Sequence, residues 1–475
     1  MYICRGSIFL IVLLLNFGCA PIPKYETAQL LDSCDLDQTI TDALSSGNFE
    51  QSDWPKSRWW EQFEDAELNR LIESALRTSP TLQYAEASLR AAQQVARQKK
   101  SALFPEVNFA ADNNWQHLAQ DGFYRFFAKN VAAVVNDVHL GLQFSYEFDF
   151  WGKNRNLFRA SLGEAMALAA EKLQTELILT TSVAYTYSEA QFLSIKKSLL
   201  FQIKEHRDVL EAIALKRKKH GIDTALTPLS ALKEELDTEA MILETEEELE
   251  RKLHQLKALS ALGQGAIIVI GQDLTPLSPG LPENISLDLI SRRPDLIAAT
   301  ARFEAAARRI SAARTNFYPN INILGLIGWE TVRLSSLFQS KNYSASIDPA
   351  IHLPLFTAGR LQAELREKVA EFDQAAFSYN GLILQAASEV ADRLSDLIIL
   401  QKSIQVRNKS YKAVQEKVKI HQQRLLAALD NQIDLLTSEI VSLKEKLLLV
   451  ELQFGKRLAT ILLIRALGGG DYAGS

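Results

Sequence analysis

The stretch His139-Leu140-Gly141-Leu142-Gln143-Phe144-Ser145-Tyr146-Glu147-Phe148-Asp149-Phe150 alternates polar and apolar residues without a break and runs into Trp151-Gly152-Lys153. Successive side chains of a strand point to opposite faces, so this reads as a strand with one apolar and one wet side. About ten such residues cross a bilayer as one stave of a β-barrel. A soluble sheet resting on a core gives the same alternation, but Glu147 and Asp149 fall on the side of the amides, as a water-filled lumen requires.

The pattern returns later in the chain. Ala345, Ile347, Pro349, Ile351, Leu353 and Leu355 alternate with Ser344, Ser346, Asp348, Ala350, His352 and Pro354, and the run ends in Phe356-Thr357-Ala358-Gly359-Arg360. Shorter alternations follow Pro105 (Val107, Phe109) and Pro319 (Ile321, Ile323). The prolines are 214 positions apart (319 − 105) and the glycines 207 (359 − 152), so the chain is written twice. Each half reads helix, proline, strand, loop, strand, glycine-basic turn, long helix, long helix. The strands are expected at about 105–117, 137–150, 319–330 and 343–356. Gly152 and Gly359 make the strand-to-helix turns, where a residue without a Cβ permits the sharp change of direction.

Long helices are expected at about 154–216, 225–262, 360–424 and 430–467. Leu365, Val369, Phe372, Ala376, Tyr379, Ile383, Ala386, Val390, Leu394 and Leu397 recur in steps of three and four, the stripe of coiled-coil-like packing. Ile433, Leu436, Ile440, Leu443, Leu447, Val450 and Phe454 repeat it. The first repeat thus occupies 62–262 and the second 289–467, with a C-terminal tail at 468–475. Between them 263–288, with Pro276, Pro279 and Pro282, interrupts the helical pattern and reads as an equatorial linker of strand and loop. Arg292-Arg293-Pro294-Asp295 opens the second half, with Pro294 at a helix start where its missing N–H costs nothing.

Four strands cannot enclose a channel, and an open sheet edge in lipid leaves backbone groups unpaired at several kcal/mol each. Identical neighbours about an axis must therefore supply the rest. Two copies give an eight-stranded barrel, whose interior side chains fill it. Three copies, with about 12 strands, are the smallest set that leaves a hole.

The N-terminus is a secretory signal peptide over 1–18: Arg5, then the apolar run Ile8 to Leu15, then small residues. Cys19 ends it in the setting Asn16-Phe17-Gly18-Cys19-Ala20, which resembles a bacterial lipoprotein signal and makes Cys19 the candidate lipid anchor of an extension over 19–61. Ordinary signal-peptidase cleavage with Cys19 incidental is the alternative. With a net charge of −5 and no concentrated basic patch, nucleic acid is not an expected partner. The seven histidines form no metal-spaced pair, and neither a phosphate-binding loop nor a nucleophile elbow is present. No enzyme, metal or cofactor is expected.

Five motifs in order resemble the outer-membrane factor family, the TolC-like channels, and within it the NodT-type lipoprotein branch that serves resistance-nodulation-division (RND) pumps. They are Trp59-Trp60-Glu61-Gln62-Phe63-Glu64-Asp65-Ala66-Glu67-Leu68, Ser145 to Gly152, Arg292-Arg293-Pro294-Asp295-Leu296, Leu353-Pro354-Leu355-Phe356-Thr357-Ala358-Gly359-Arg360 and Ala466-Leu467-Gly468-Gly469-Gly470. The resemblance implies a mainly α chain with a β-barrel part. Its homotrimer would form a 12-strand outer-membrane β-barrel continued by a 12-helix periplasmic α-barrel. It further implies the outer membrane of a Gram-negative bacterium, a periplasmic adaptor (membrane fusion) protein, an inner-membrane RND-type pump and export of drugs or other small molecules. The rivals are the outer channel of a type I protein-secretion system, the periplasmic adaptor itself and a structural coiled-coil protein.

The family tends to carry a Gly-x-x-Ser-x-x-Asp-like turn between its long helices. Here Gly221, Asp223 and Thr224 fit it in part, whereas Ala428 stands where glycine is usual; these four mark the expected adaptor-contact tips. Asp430 and Asp434, four residues apart, are expected on one helix face at the periplasmic end. Repeated by threefold symmetry they would form acidic gate rings; the alternative is that they cap the last helix. Trp151, Trp329, Phe150, Tyr124 and Phe123 are candidates for membrane-interface rings, with packing at the strand–helix junction as the other reading for Trp151.

Overall fold

A computed structural model describes residues 22–31, 55–119, 132–271 and 292–470, with isolated positions (36, 40, 41, 43, 49, 121, 126 and 274) between them. The signal peptide, Cys19, Tyr124, Phe123 and most of the 263–288 linker lie outside the described residues. The regular elements are α1 (Ala66–Thr78), α2 (Pro80–Ser101), β1 (Glu106–His117), β2 (Val134–Phe148), α3 (Lys153–Lys219), α4 (Leu226–Leu259), α5 (Pro294–Thr315), β3 (Asn320–Thr331), β4 (Tyr343–His352), α6 (Arg360–Leu426) and α7 (Gln432–Ala466). The duplication is metrical. Both α2 and α5 hold 22 residues, β1 and β3 hold 12, and α3 and α6 hold 67. At 1.5 Å per residue each of the longest helices reaches about 100 Å.

The chain divides into two compact units. One comprises residues 1–30, 89–167 and 299–378 and contains a four-stranded antiparallel sheet in the order β1-β2-β3-β4. Its register joins the alternating faces across all four strands. Val107, Phe144, Gly325 and Ile347 form one apolar row; Phe109, Leu142, Ile327 and Ala345 form the next. On the other face stand Asn108, Gln143, Leu326 and Ser346, then Asp112, His139 and Glu330, so Leu326 is an apolar intruder on a polar side. Much of the apolar face is exposed in the single chain, with Phe109 at 68% and Ile347 at 74%, while Val138 and Thr331 toward one end of it are buried.

Beneath the sheet Phe317, Leu361, Leu365, Val369 and Phe372 form a small core against Ile310 and Ala313 of α5. Residues 22–31 carry no helix or strand. Ile22 and Tyr25 pack on this core, and the Ala28 N–H donates to Asp373 Oδ1 at 2.8 Å.

The second unit comprises residues 31–88, 168–298 and 379–475. One core joins Trp59, Trp60 and Phe63 to Leu68, Leu71 and Ile72 of α1, Val183 and Tyr187 of α3, Leu256 of α4 and Ile461 of α7. Asp65 caps α1, its Oδ1 accepting the N–H groups of Glu67 and Leu68 at 3.0 Å. The same carboxylate accepts the Tyr187 hydroxyl at 2.9 Å and Gln191 Nε2 at 3.1 Å. Burial and the charge of Asp65 both push the Tyr187 phenol far above its ordinary value. Arg457, only 2% exposed, lies with its guanidinium 4.4 Å from the Phe63 ring centre and feels the charge of Asp65; burial lowers its pKa. All ten residues of the stripe from Leu365 to Leu397 are buried, those from Tyr379 onward in this unit.

Arg293 fastens the start of the second half. It donates Nη2 to Asp295 at 2.7 Å, and Nη1 to Glu389 and to the Ala466 carbonyl, each at 2.9 Å, which satisfies an orphan acceptor at the end of α7. The helix it precedes, α5, begins at Pro294.

Candidate functional site

The sequence expectations converge on the two turns between long helices, and the structure gives both one construction. Helix α3 ends with the Gly221 N–H on the Lys218 carbonyl (3.0 Å) and the Ile222 N–H on the Arg217 carbonyl (2.9 Å), a Schellman closure with Gly221 at φ +70°. Helix α6 ends with the Ala428 N–H on Leu425 (3.0 Å) and the Leu429 N–H on Arg424 (2.8 Å), and Ala428 has φ +55°. The offset is again 207 (428 − 221). The same closure finishes α4 at Ala261 (φ +50°) and α7 at Gly468 (φ +92°), also 207 apart (468 − 261). Each half therefore fills one left-handed position with glycine and one with alanine.

A left-handed alanine carries a Cβ penalty that glycine does not. Replacing Ala428 by Gly should raise stability by about 0.5–1 kcal/mol, after the greater freedom of glycine in the unfolded chain, and Gly221→Ala should lower it by a similar amount. Melting curves of the purified protein check this; equal melting of both variants would remove strain as the reason for glycine at these turns.

Each turn is also clasped by an arginine and an aspartate at equivalent places. Arg217 Nε donates to Asp223 Oδ2 at 2.7 Å, and Arg424 Nε donates to Asp430 Oδ1 at 2.9 Å. Asp430 has a second partner, His421 Nδ1 at 2.8 Å from Oδ2. The bond from Arg217 holds the Asp223 carboxyl below the ordinary carboxylate range. At Asp430 desolvation works upward, but the bonds from Arg424 and His421 outweigh it and the net displacement is downward.

Asp430 thus belongs to the turn and precedes α7, so it does not share a helix face with Asp434. The cap of α7 is Asn431, whose Oδ1 accepts the Asp434 N–H at 3.0 Å, and Asp434 is exposed in the first turn. Thr224 stands at the position equivalent to Asn431, its hydroxyl accepting from the Leu226 N–H at 3.4 Å, but α4 begins after Ala225, which supplies no side-chain cap. Large apolar side chains stand exposed about both turns: Ile222, Leu226 and Leu229 at the first, Leu426 and Leu429 at the second. Arg217, Arg424 and His421 were not among the expected site residues; applying the 207-residue offset to the turns would have exposed the arginine pair.

At the strand–helix junctions Gly152 (φ +79°) and Gly359 (φ +86°) make the turns, the latter with Ala358 at φ +49°. β2 stops at Phe148, so Asp149 does not continue the polar face. Its carboxylate instead accepts the N–H groups of Asn154 (2.9 Å) and Arg155 (3.0 Å) at the start of α3. Trp151 stacks on Tyr318 with ring centres 4.9 Å apart and donates Nε1 to the Pro319 carbonyl at 2.8 Å, which is junction packing. Trp329 lies on the apolar face of the sheet, edge-on to Phe338.

Comparison with known proteins gives one consistent family. A sequence profile described as Outer membrane efflux protein matches residues 71–262 and 286–469, one block for each half. The chain is 29% identical over 476 residues to the multidrug resistance outer membrane protein MdtQ of Escherichia coli O157:H7, covering 97% of this chain and 96% of that protein. Among solved structures it is similar to the outer membrane protein VceC of Vibrio cholerae (30% identity, TM-score 0.78, 88% of this chain and 100% of VceC). It shares the fold of the outer-membrane channel OprN (23% identity, TM-score 0.82, 95% and 99% covered).

Proposed function

Since the chain belongs to the outer membrane efflux protein family, we propose that it works as a homotrimer whose sheets close into one outer-membrane barrel and whose helical turns receive a periplasmic adaptor fed by an inner-membrane RND-type pump. An efflux role at the outer membrane follows from membership. The observation that carries it is the sheet of β1 to β4. One face is apolar and much of it exposed, and β1 and β4 are edges within the described sheet. A bilayer tolerates such a sheet only when neighbouring chains pair its edges. The multidrug-resistance names of the relatives favour small toxic molecules as cargo.

The adaptor contact is assigned to the turns at Gly221, Asp223, Thr224 and Ala428, where the exposed apolar side chains offer a docking surface and the Arg–Asp clasps keep its shape. The gate is assigned to the same end, with a division of labour between the aspartates. The charge of Asp430 is bound by Arg424 and His421, which leaves Asp434 as the carboxylate that threefold symmetry would bring into a cation-attracting ring. Asp434→Ala should lower cation selectivity in planar bilayers, whereas Asp430→Ala should loosen the turn. Conductance and selectivity equal to wild type in the Asp430→Ala/Asp434→Ala double variant would end the gate assignment.

Lipidation is assigned to Cys19. The described chain beginning three residues later is already packed, through Ile22 and Tyr25, in the unit that holds the sheet. Palmitate labelling of wild type should be absent from Cys19→Ala. For the function as a whole, deletion should sensitise the cell to some of a panel of antibiotics and dyes; unchanged susceptibility wherever the protein is expressed would count against drug efflux.

A further inference from the structure

Three ligating side chains from two neighbouring strands meet toward the loop end of the sheet. His139 on β2 is directly opposite Glu330 on β3, and Asp137 lies two residues before His139, on the same strand face. One donor atom from each of the three lies within 4.8 Å of the others. His139 Nε2 and Asp137 Oδ2 are 3.1 Å apart. Donors held about 2.0–2.2 Å from one ion are separated by roughly 3.0–3.5 Å, so this edge already has the length that a coordination polyhedron needs. Glu330 is exposed, and its two-carbon arm can swing to close the third side.

A second observation concerns the surface beside the trio. The next pair on the same face is Gly141 opposite Gly328. The backbones there are so close that a Cβ on Gly141 would lie 2.7 Å from the Ile327 carbonyl oxygen, and one on Gly328 would overlap Leu140 O. That pair carries no side chain, His139 itself is part exposed, and close backbone approach fixes the two strands that carry the donors. On the other flank Asp112 of β1 is directly opposite His139, adding a carboxylate to the local field that draws cations.

We propose that Asp137, His139 and Glu330 bind a divalent transition metal of the zinc class. One imidazole and two carboxylates, without a thiolate, suit Zn2+ and its neighbours better than Ca2+ or Mg2+, which take oxygen ligands. Three protein donors leave a fourth position for water. The placement of this site on a lumen wall rests on the trimeric-channel reading above; under it, one site per chain would ring the mouth of the barrel. Bound metal would add positive charge there and oppose cation flow.

The full chain, purified in detergent with an affinity tag free of histidine and stripped with a chelator, is titrated with Zn2+ by calorimetry and with Co2+ by visible absorption. About one equivalent per chain is expected, weakened at least tenfold in His139→Ala and in Glu330→Gln, with the metal-free variants melting as wild type does. No binding, or binding that His139→Ala leaves unchanged, overturns the proposal; in the latter case the trio is a hydrogen-bonded charge cluster only. In planar bilayers, Zn2+ on the loop side should lower wild-type conductance and spare His139→Ala. Conductance of the metal-free protein tests the channel reading by itself. Metal binding without block upholds the site and overturns its place on the lumen wall.

Discussion

Replacing Asp65 by alanine should cost the second unit on the order of 2–4 kcal/mol, because it removes the cap of α1 and the acceptor shared by the Tyr187 hydroxyl and the Gln191 amide. Three roles end together in that one substitution. The cap of α1 goes, worth about 1 kcal/mol by itself. Tyr187 and Gln191 lose their shared acceptor. The guanidinium of Arg457, 2% exposed and over the Phe63 ring, loses the negative charge of Asp65 that opposes its desolvation. Asp65→Asn retains an acceptor for the cap and for Tyr187 but removes the charge, so it should fall between wild type and Asp65→Ala. Adding Arg457→Met to Asp65→Asn should recover part of the loss, since the buried guanidinium that feels the Asp65 charge goes with it. Apparent melting temperatures of these proteins and of Arg457→Met alone, in one detergent, make the comparison. Independent, additive effects of Asp65→Asn and Arg457→Met would show that the two residues are not coupled.

Gly328→Ala should cost about 3 kcal/mol and cut the yield of folded protein, because its Cβ would overlap backbone rather than a movable side chain. The control lies on the same strand. A Cβ on Gly325 would meet nothing nearer than 3.6 Å, so Gly325→Ala should be nearly silent. Both sites are glycine in a strand, and intrinsic strand preference treats them alike. Equal losses in the two would mean that the close approach of β2 and β3 at Gly141 is not what selects glycine there.

What the sequence displayed, and what it hid, follows the range over which each feature is written. The strand faces are periodic, so the rows through Phe144 and Leu142 were legible residue by residue. The ten-residue stripe of α6 was legible for the same reason. Asp149 continued the alternation in sequence, but the strand ends at Phe148 and the carboxylate turns to cap α3; the nearby Gly152 was the available signal. Asp430 and Asp434 are four apart, and a count of four implies one face only when both residues are helical. Here α7 begins at Gln432. The partners of Asp430 lie on the preceding helix, across a turn that periodicity does not describe. The Asp65 network is hidden more deeply, since its members are separated by 122 and 126 residues and only the packed core brings them together. The same holds for Asp137, His139 and Glu330, whose meeting depends on the β2–β3 register and not on any spacing of histidines.

The equal 67-residue spans of α3 and α6 restrict where the chain can change length. The two halves differ by seven positions (214 − 207), and all of that difference falls between the prolines before β1 and β3 and the glycines before α3 and α6. Strand ends and the loops between strands have absorbed insertions; the long helices have absorbed none in either copy. One added residue inside α3 would turn everything beyond it by about 100° and carry its apolar stripe off the partners that bury it. Length there behaves as phase, and a phase error has no local remedy. Such a helix can accept substitutions along most of its exposed side while remaining closed to insertion or deletion.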